Sequence, residues 1–266
     1  MMSIIKKEFL AKRTSLLVYC LVVFGLLWMY IGIYPSIQAQ SAALSKVLEG
    51  LGPAVRAFGV SQISFDTLEK YLSLELFGIT WPILMITFVA ARAGQSIAGE
   101  TEKGTLGTVL SLPISRYNIF LSKYLAGLTA LIIFVAVTVF SGIPIAQAFH
   151  IAHNSANFAS LSVLCLLFSW SLYSLGMLFS TVFNEKGHVY LALGGILMVM
   201  YVANIIAGIS SKFSWLRLIS LFHFFNAAEV LINNQTNSAS YIVFNAVIVF
   251  ATLAGLFWFA HKDVIV

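Results

Sequence analysis

Charged residues are scarce in this chain. Asp, Glu, Lys and Arg make up 9% of its 266 residues, whereas hydrophobic residues make up 60% and the mean hydropathy is +0.94. A soluble domain carries about 25% charged residues. Because so few charges cannot cover a water-facing surface of this size, the composition excludes an ordinary soluble domain and predicts a protein of the lipid bilayer.

Cysteines and metal-binding histidine pairs are also lacking. Cys20 and Cys165 are the only cysteines, and each lies alone inside an apolar run. Their separation predicts neither a disulfide framework nor a zinc site. The five histidines form no H-x-x-x-H or H-E-x-x-H pair, which argues against a metal site or a metalloprotease.

Ionisable residues are almost absent from the middle of the apolar runs, where membrane enzymes and ion-coupled transporters place them. We therefore expect neither catalysis nor ion coupling. The net charge of +5 is more typical of cytoplasmic anchors beside a membrane than of a nucleic-acid partner.

A nucleotide-binding loop is not predicted either, although Gly99 and Gly104 have the G-x-x-x-x-G spacing of one. In such a loop the second glycine is followed by a lysine that reaches the phosphates. Here Thr105 follows, and Lys103 precedes the glycine. We expect no cofactor on this chain.

Six apolar runs are each about 20 residues or longer, which is the length that crosses the hydrocarbon core as a helix. The second is the weakest because it contains Glu75 and Pro82. The prediction is an all-α integral membrane protein, a single transmembrane domain over residues 1–266. Its expected spans are 15–34, 72–91, 124–149, 158–183, 189–208 and 241–260.

Six spans place both termini on one side, and the basic residues predict which side. If the termini are cytoplasmic, ten Lys and Arg residues lie inside and five outside, as the positive-inside rule requires. The inner set is Lys6, Lys7, Lys12, Arg13, Arg92, Lys103, Arg116, Lys123, Lys186 and Lys262. The outer set is Lys46, Arg56, Lys70, Lys212 and Arg217.

Three segments outside the spans have helical signals. Residues 1–12 are amphipathic and predict a helix on the lipid of the inner leaflet. The outer segment 35–71 predicts a short helix with the apolar stripe Leu44, Val47, Leu48 and Leu51, and a second helix opened by a capping box at Asp66 and Glu69. The outer segment 209–240 is too apolar for a free loop and predicts re-entrant or interfacial helices.

The cytoplasmic segment 99–123 predicts a short helix with Leu106, Val109 and Leu110 on one exposed face. Pro113 should end it, and Ser115 should cap the helix that leads into the third span. The residues alone leave two interpretations open: a docking surface for another protein, or an ordinary helix among lipid headgroups.

The stretch E-x-E-K-G-T-L-x-x-x-L-S-L-P-I-S-R, from Glu100 to Arg116, resembles the signature of ABC-2 type permeases. Lys123-Tyr-Leu-Ala and Ser220–Leu231 resemble the family too, as does the six-span layout. Gly107 departs from it, since relatives often carry an acidic residue there.

The resemblance implies that segment 99–123 is a coupling helix seated on a separate ATPase, which binds the ATP and Mg. It implies two ATPase copies and a second permease copy or homologue in the lipid of a bacterial or archaeal cell membrane. The implied docking residues are Glu100, Glu102, Gly104, Thr105, Leu106, Val109, Leu110, Pro113 and Arg116. The substrate path would be lined by Tyr201 and Asn204 of the fifth span.

Two functions remain open at this point. One is the permease of an ATP-driven exporter of a hydrophobic or amphipathic substrate. The other is a membrane anchor or sensor that recruits a cytosolic partner without transport. Asn204 and Asn245 are notable polar residues within spans, and we expect them to hydrogen-bond across helices or to contact substrate.

Overall fold

The computed structural model describes residues 2–41, 65–111, 113–209 and 211–262, and these ranges contain helices but no strands. Six helical segments in them are long and apolar enough to cross a membrane, which confirms the expected fold class. Spans one to six are Arg13–Ala39 (helix α2), Leu68–Gly94, Arg116–Ala148, Ser155–Val182, Lys186–Ile209 and Ser238–His261. The stripe from Leu44 to Leu51 lies outside the described residues.

Span two is built from two helices, α3 (Leu68–Glu75) and α4 (Trp81–Gly94), joined by a π-helical turn over Leu76–Thr80. The turn places Pro82 at the start of α4, where its missing N–H is tolerated. The predicted capping box is wrong by one residue. Thr67 is the N-cap and accepts a hydrogen bond from the Lys70 N–H, whereas Asp66 pairs with the Lys70 ammonium at 3.0 Å.

Span three begins earlier than the apolar run predicted. Ser115 accepts the Asn118 N–H and starts the helix at Arg116, as its capping role requires. The helix ends at Phe140, and after a break at Ser141 the segment Gly142–Ala148 completes the span.

Span four is the central helix of the bundle and packs against spans two, three and six. In its most apolar stretch 61% of the residues are buried, the largest share among the six spans. Phe168 stacks on Phe225 with ring centroids 4.4 Å apart, and Phe225 stacks on Trp81 at 5.3 Å. The core of the molecule is therefore organised around span four.

The bundle has two ends, which we name by what they hold. The terminal end holds helix α1 (Met2–Ala11) and Lys262, whose ammonium donates to the Thr181 carbonyl at 2.8 Å. At the opposite end, Lys212–Ile219 and Leu221–Asn233 meet at 85°, as a broken span or a re-entrant loop does. The Asn157 side chain donates to the Leu231 carbonyl at 2.8 Å, so this bent pair is held against span four and is not a free loop.

Helix α1 packs more deeply than a helix lying only on lipid. Lys6 and Lys7 are exposed, as expected for a membrane-facing side. On its other side Phe9 packs against the core, and Glu8 lies 3.6 Å from the ammonium of Lys123 in span three. One face of α1 is thus part of the bundle.

Candidate functional site: the linker between spans two and three

Residues 95–115, which we call the linker, join span two to span three at the terminal end. The linker contains two short helices, α5 (Ala98–Glu102) and α6 (Leu106–Leu110). Lys12 donates to the Gln95 carbonyl at 3.2 Å, so the linker starts beside the N-terminal helix.

The beginning of α5 is fixed to span four by one side chain. The hydroxyl of Ser180, fully buried, accepts hydrogen bonds from the N–H groups of Ile97 and Ala98 at 3.1 and 3.0 Å. Two backbone donors that a helix start leaves without partners are satisfied in this way. The linker therefore cannot move away from span four without exposing them.

Gly104 ends α5 in a Schellman motif. Its φ of +67° lies in the left-handed region, which glycine adopts without strain. The Gly104 N–H donates to the Thr101 carbonyl at 3.0 Å, and the Thr105 N–H donates to the Glu100 carbonyl at 2.9 Å. Gly104 therefore ends α5 before α6 begins. This is a structural role for a glycine whose spacing from Gly99 resembled that of a phosphate-binding loop.

The exposed apolar face predicted for α6 is wrong at Leu106. This side chain is only 1% exposed and belongs to the hydrophobic core. Val109 and Leu110 are half-buried and pack against the same core. Because residues i, i+3 and i+4 share one face of a helix, the burial of Leu106 turns the whole apolar face towards the core. The exposed surface of the described part of the linker is mostly polar instead and comprises Gln95, Glu102, Lys103, Gly104, Thr105, Thr108, Ser111, Pro113 and Ser115.

Arg116 also points to its own chain. Its guanidinium donates to the Lys262 carbonyl at 2.6 Å and to the Ala260 carbonyl at 3.3 Å. It therefore binds the start of span three to the end of span six.

Glu102 connects the linker to span five. Its carboxylate accepts the Lys186 backbone N–H at 3.0 Å and lies 3.1 Å from the Lys186 ammonium. The hydrogen bond from this N–H, followed by the side-chain contact, lowers the pKa of Glu102 below its usual 4.5. A carboxylate at the first turn of a helix also interacts favourably with the helix dipole.

Glu100 turns inward to a group of charged residues that the sequence did not predict. We call Glu8, Lys12, Arg92, Glu100 and Lys123 the charge cluster. Lys123 is 2% exposed and pairs with both carboxylates, while Glu8 also pairs with Lys12. The cluster joins helix α1, span two, the linker and span three at one point.

Burial raises the pKa of Glu8, but the attraction of Lys12 and Lys123 outweighs it and the net pKa lies below 4.5. Burial lowers the pKa of Lys12 below its usual 10.5, and Glu8 only partly offsets this. The glutamate is therefore firmly ionised at neutral pH. One signal for this group was present in the sequence, since Glu8 and Lys12 have the i, i+4 spacing of a helical ion pair.

Comparison with protein families matches residues 2–264 to the family described as ABC-2 family transporter protein. The chain belongs to this family. No curated protein matches it. The ABC-2 chain is therefore the multi-pass permease subunit of an ABC transporter. It is a transport subunit and is not itself catalytic. The family in general works with an ATPase partner.

Tyr201 and Asn204, the two candidates for the substrate path, lie on span five of this ABC-2 protein, towards the end that is away from the linker. Tyr201 and Asn204 are both half-buried, and the Tyr201 ring meets Phe222 at the opposite end with centroids 5.3 Å apart. Asn245 donates to the Tyr241 carbonyl of its own helix, so the expected bond across helices is not formed by its amide. The structure thus separates the path candidates from the docking candidates.

Proposed function

We propose that this ABC-2 chain is the permease of an ATP-driven exporter and that a cytosolic ATPase docks on the exposed side of the linker. The observation that carries the proposal is the way the linker is held. It is bonded to spans three and four through the buried Lys123 and Ser180 and to span five through an exposed ion pair with Lys186, while its outer side is exposed. A push on that outer side would reach three spans at once.

The docking contacts differ from those that the resemblance implied. Leu106 acts as the internal anchor of α6, Gly104 makes the turn, and Glu100 holds the linker to Lys123. The partner would contact Lys103, Thr105 and Thr108, with Val109 and Leu110 at the edge of the contact. ATP and Mg would be bound by the ATPase, in two copies that act on two permease copies.

We further propose that the linker and both termini are cytoplasmic, in the cell membrane of a bacterium or archaeon. The excess of basic residues at the terminal end supports this orientation. The substrate class would be hydrophobic or amphipathic because the spans offer apolar faces and few ionisable residues. Tyr201 and Asn204 of span five remain the candidates for lining its path.

Co-purification tests the docking proposal. Thr108→Arg places a long cation in the proposed contact, and Gln235→Arg places the same group at an exposed position of the opposite end as the control. We expect the first variant to lose the ATPase and the second to retain it, with both chains equally folded. If both variants retain the ATPase, the docking surface is assigned wrongly.

Reconstitution in vesicles separates the two candidate functions. An exporter shows ATP-dependent movement of a fluorescent amphiphile, which Thr108→Arg abolishes. An anchor or sensor retains its cytosolic partner through Thr108 but moves no substrate. Labelling of a single cysteine at Thr108, in a chain with Cys20 and Cys165 replaced by serine, reports which side of the membrane the linker faces.

A further inference from the structure

The charge cluster contains one more cation than it has carboxylates. Lys12, Arg92 and Lys123 stand against Glu8 and Glu100, and all five side chains are mostly buried. Both carboxylates are engaged by lysines. Within the described ranges no carboxylate lies at ion-pair distance from Arg92.

Arg92 is only 5% exposed, and its bonds leave part of the guanidinium unused. It donates to the Lys12 carbonyl at 3.0 Å and lies over the Phe88 ring at 5.4 Å. Its Nε has no hydrogen-bond partner among the described residues, and neither has the hydroxyl of Ser96, 2% exposed and one turn further along the chain. A buried cation without compensation costs several kcal/mol, so this arrangement favours an anion.

These donors line a small cavity. Lys12, Arg92, Ser96 and Lys123 form part of its wall together with Glu8, and Tyr173 forms part of the rest. Glu100 does not line it, so the lining carries three cations and one carboxylate. The cavity volume of about 10 Å³ is at the lower limit for one water molecule, so a larger monatomic ion enters only when the partly exposed Lys12 side chain moves outward.

We propose that this cavity is a binding site for one small monatomic anion, with chloride as the expected occupant. Chloride would accept from Arg92 Nε and the Ser96 hydroxyl and would bring the net charge of the cluster to zero. A water molecule fits the same space but leaves the cation uncompensated. A phosphate group is too large for it.

The bound anion would link span two to span three and to the junction between helix α1 and span one, since Arg92 and Lys123 belong to the two spans and Lys12 lies at the junction. Because Lys123 also pairs with Glu100, the site adjoins the base of the linker. This inference does not depend on which protein docks on the linker.

Thermal unfolding of the purified full chain tests the site. We expect the midpoint Tm to be about 3 °C higher in sodium chloride or bromide than in sodium gluconate of equal ionic strength, with a saturable dependence on halide. Arg92→Gln should abolish this difference. Arg13→Gln, an exposed arginine one residue beyond Lys12, should keep it and controls for general salt effects.

Two further measurements secure the result. If Arg92→Gln does not fold, Ser96→Ala removes a single donor and should raise the halide concentration needed for half of the shift. Bromide should also give an anomalous scattering peak between Arg92 and Ser96 in a crystal. The proposal would be overturned if the parent chain had the same Tm in chloride and gluconate. It would also be overturned if Tm depended on the amount of anionic lipid and not on the halide concentration.

Discussion

Spans four and five have similar hydropathy but opposite surroundings. Their mean hydropathies are 1.8 and 2.1, yet 61% of the most apolar stretch of span four is buried against only 17% of that of span five. Apolar composition therefore indicates that a segment crosses the membrane, but it does not indicate whether the segment faces protein or lipid.

The two spans also differ in which side chains they bury. Span four buries Ser169, Ser171, Ser174 and Ser180 completely, and each is small enough to let a neighbouring helix approach. Span five instead points large side chains outward, with Leu191 74% and Met198 62% exposed. Small side chains in span four thus lie at helix contacts, whereas a Cβ added at Gly194 or Gly195 of span five would meet nothing within 4 Å.

The linker is bonded to both spans, and its contact with span four is buried whereas its contact with span five is exposed. Ser180 holds the linker to span four through buried hydrogen bonds to two backbone groups. Glu102 holds it to span five through an exposed ion pair with Lys186. We therefore expect the tie to span four to be strong and the tie to span five to be weak.

The largest effect is expected from matched glycine substitutions. A Cβ at Gly176 of span four would lie 2.8 Å from the Ala93 Cβ, whereas a Cβ at Gly194 of span five would meet nothing within 4 Å. Gly176→Leu should cost about 3 kcal/mol or more by overpacking and leave little folded protein in size-exclusion chromatography. Gly194→Leu should elute like the parent chain, and equal losses in the two variants would refute the contrast.

A second comparison removes side-chain volume. Phe168→Ala in span four should lower the free energy of unfolding by about 3 kcal/mol, because the ring is fully buried between Phe225 and Phe244. Met198→Ala in span five should change it by less than about 0.5 kcal/mol in the monomer. Denaturant unfolding in mixed micelles measures both, and a large loss at Met198 would mean that protein covers this face.

Removal of one atom, the Ser180 Oγ, breaks the contact between the linker and span four. Ser180→Ala should destabilise the protein by about 2 kcal/mol because it leaves the Ile97 and Ala98 N–H groups without an acceptor. Hydrogen exchange at these two amides should increase. Ser162→Ala is the control, since the Ser162 hydroxyl donates only to a carbonyl of its own helix. Unchanged exchange at the two amides in Ser180→Ala would show that Ser180 does not hold the linker in place.

The smallest effect is expected at Glu102. Glu102→Gln should lower Tm slightly at neutral pH and low salt, and added salt should reduce the difference. Because the folded pKa lies below 4.5, the contribution of Glu102 is present above pH 4.5 and is lost as the pH falls through the folded pKa. Tm measured against pH should show the two proteins converging in acid, and a difference that persists there would exclude the ion pair as its cause.

The linker shows how far sequence reasoning reaches. The cap at Ser115 and the end of the helix before Pro113 were predictable, because local hydrogen bonding and proline sterics decide them. The inward position of Leu106 was not, because it depends on a space formed by helices far away in the sequence. The charge cluster was missed for the same reason: Lys12, Arg92 and Lys123 look like surface anchors until Glu8 and Glu100 are brought beside them.

By itself the sequence determined the class of the protein, its six membrane crossings and its membership of the ABC-2 family, because these depend on hydropathy and on a motif contiguous in the chain. Only the tertiary structure shows which span is central, which linker residues are exposed, and which charges are buried together. Those properties depend on how closely helices that are distant in the sequence approach one another, which hydropathy and a contiguous motif do not encode.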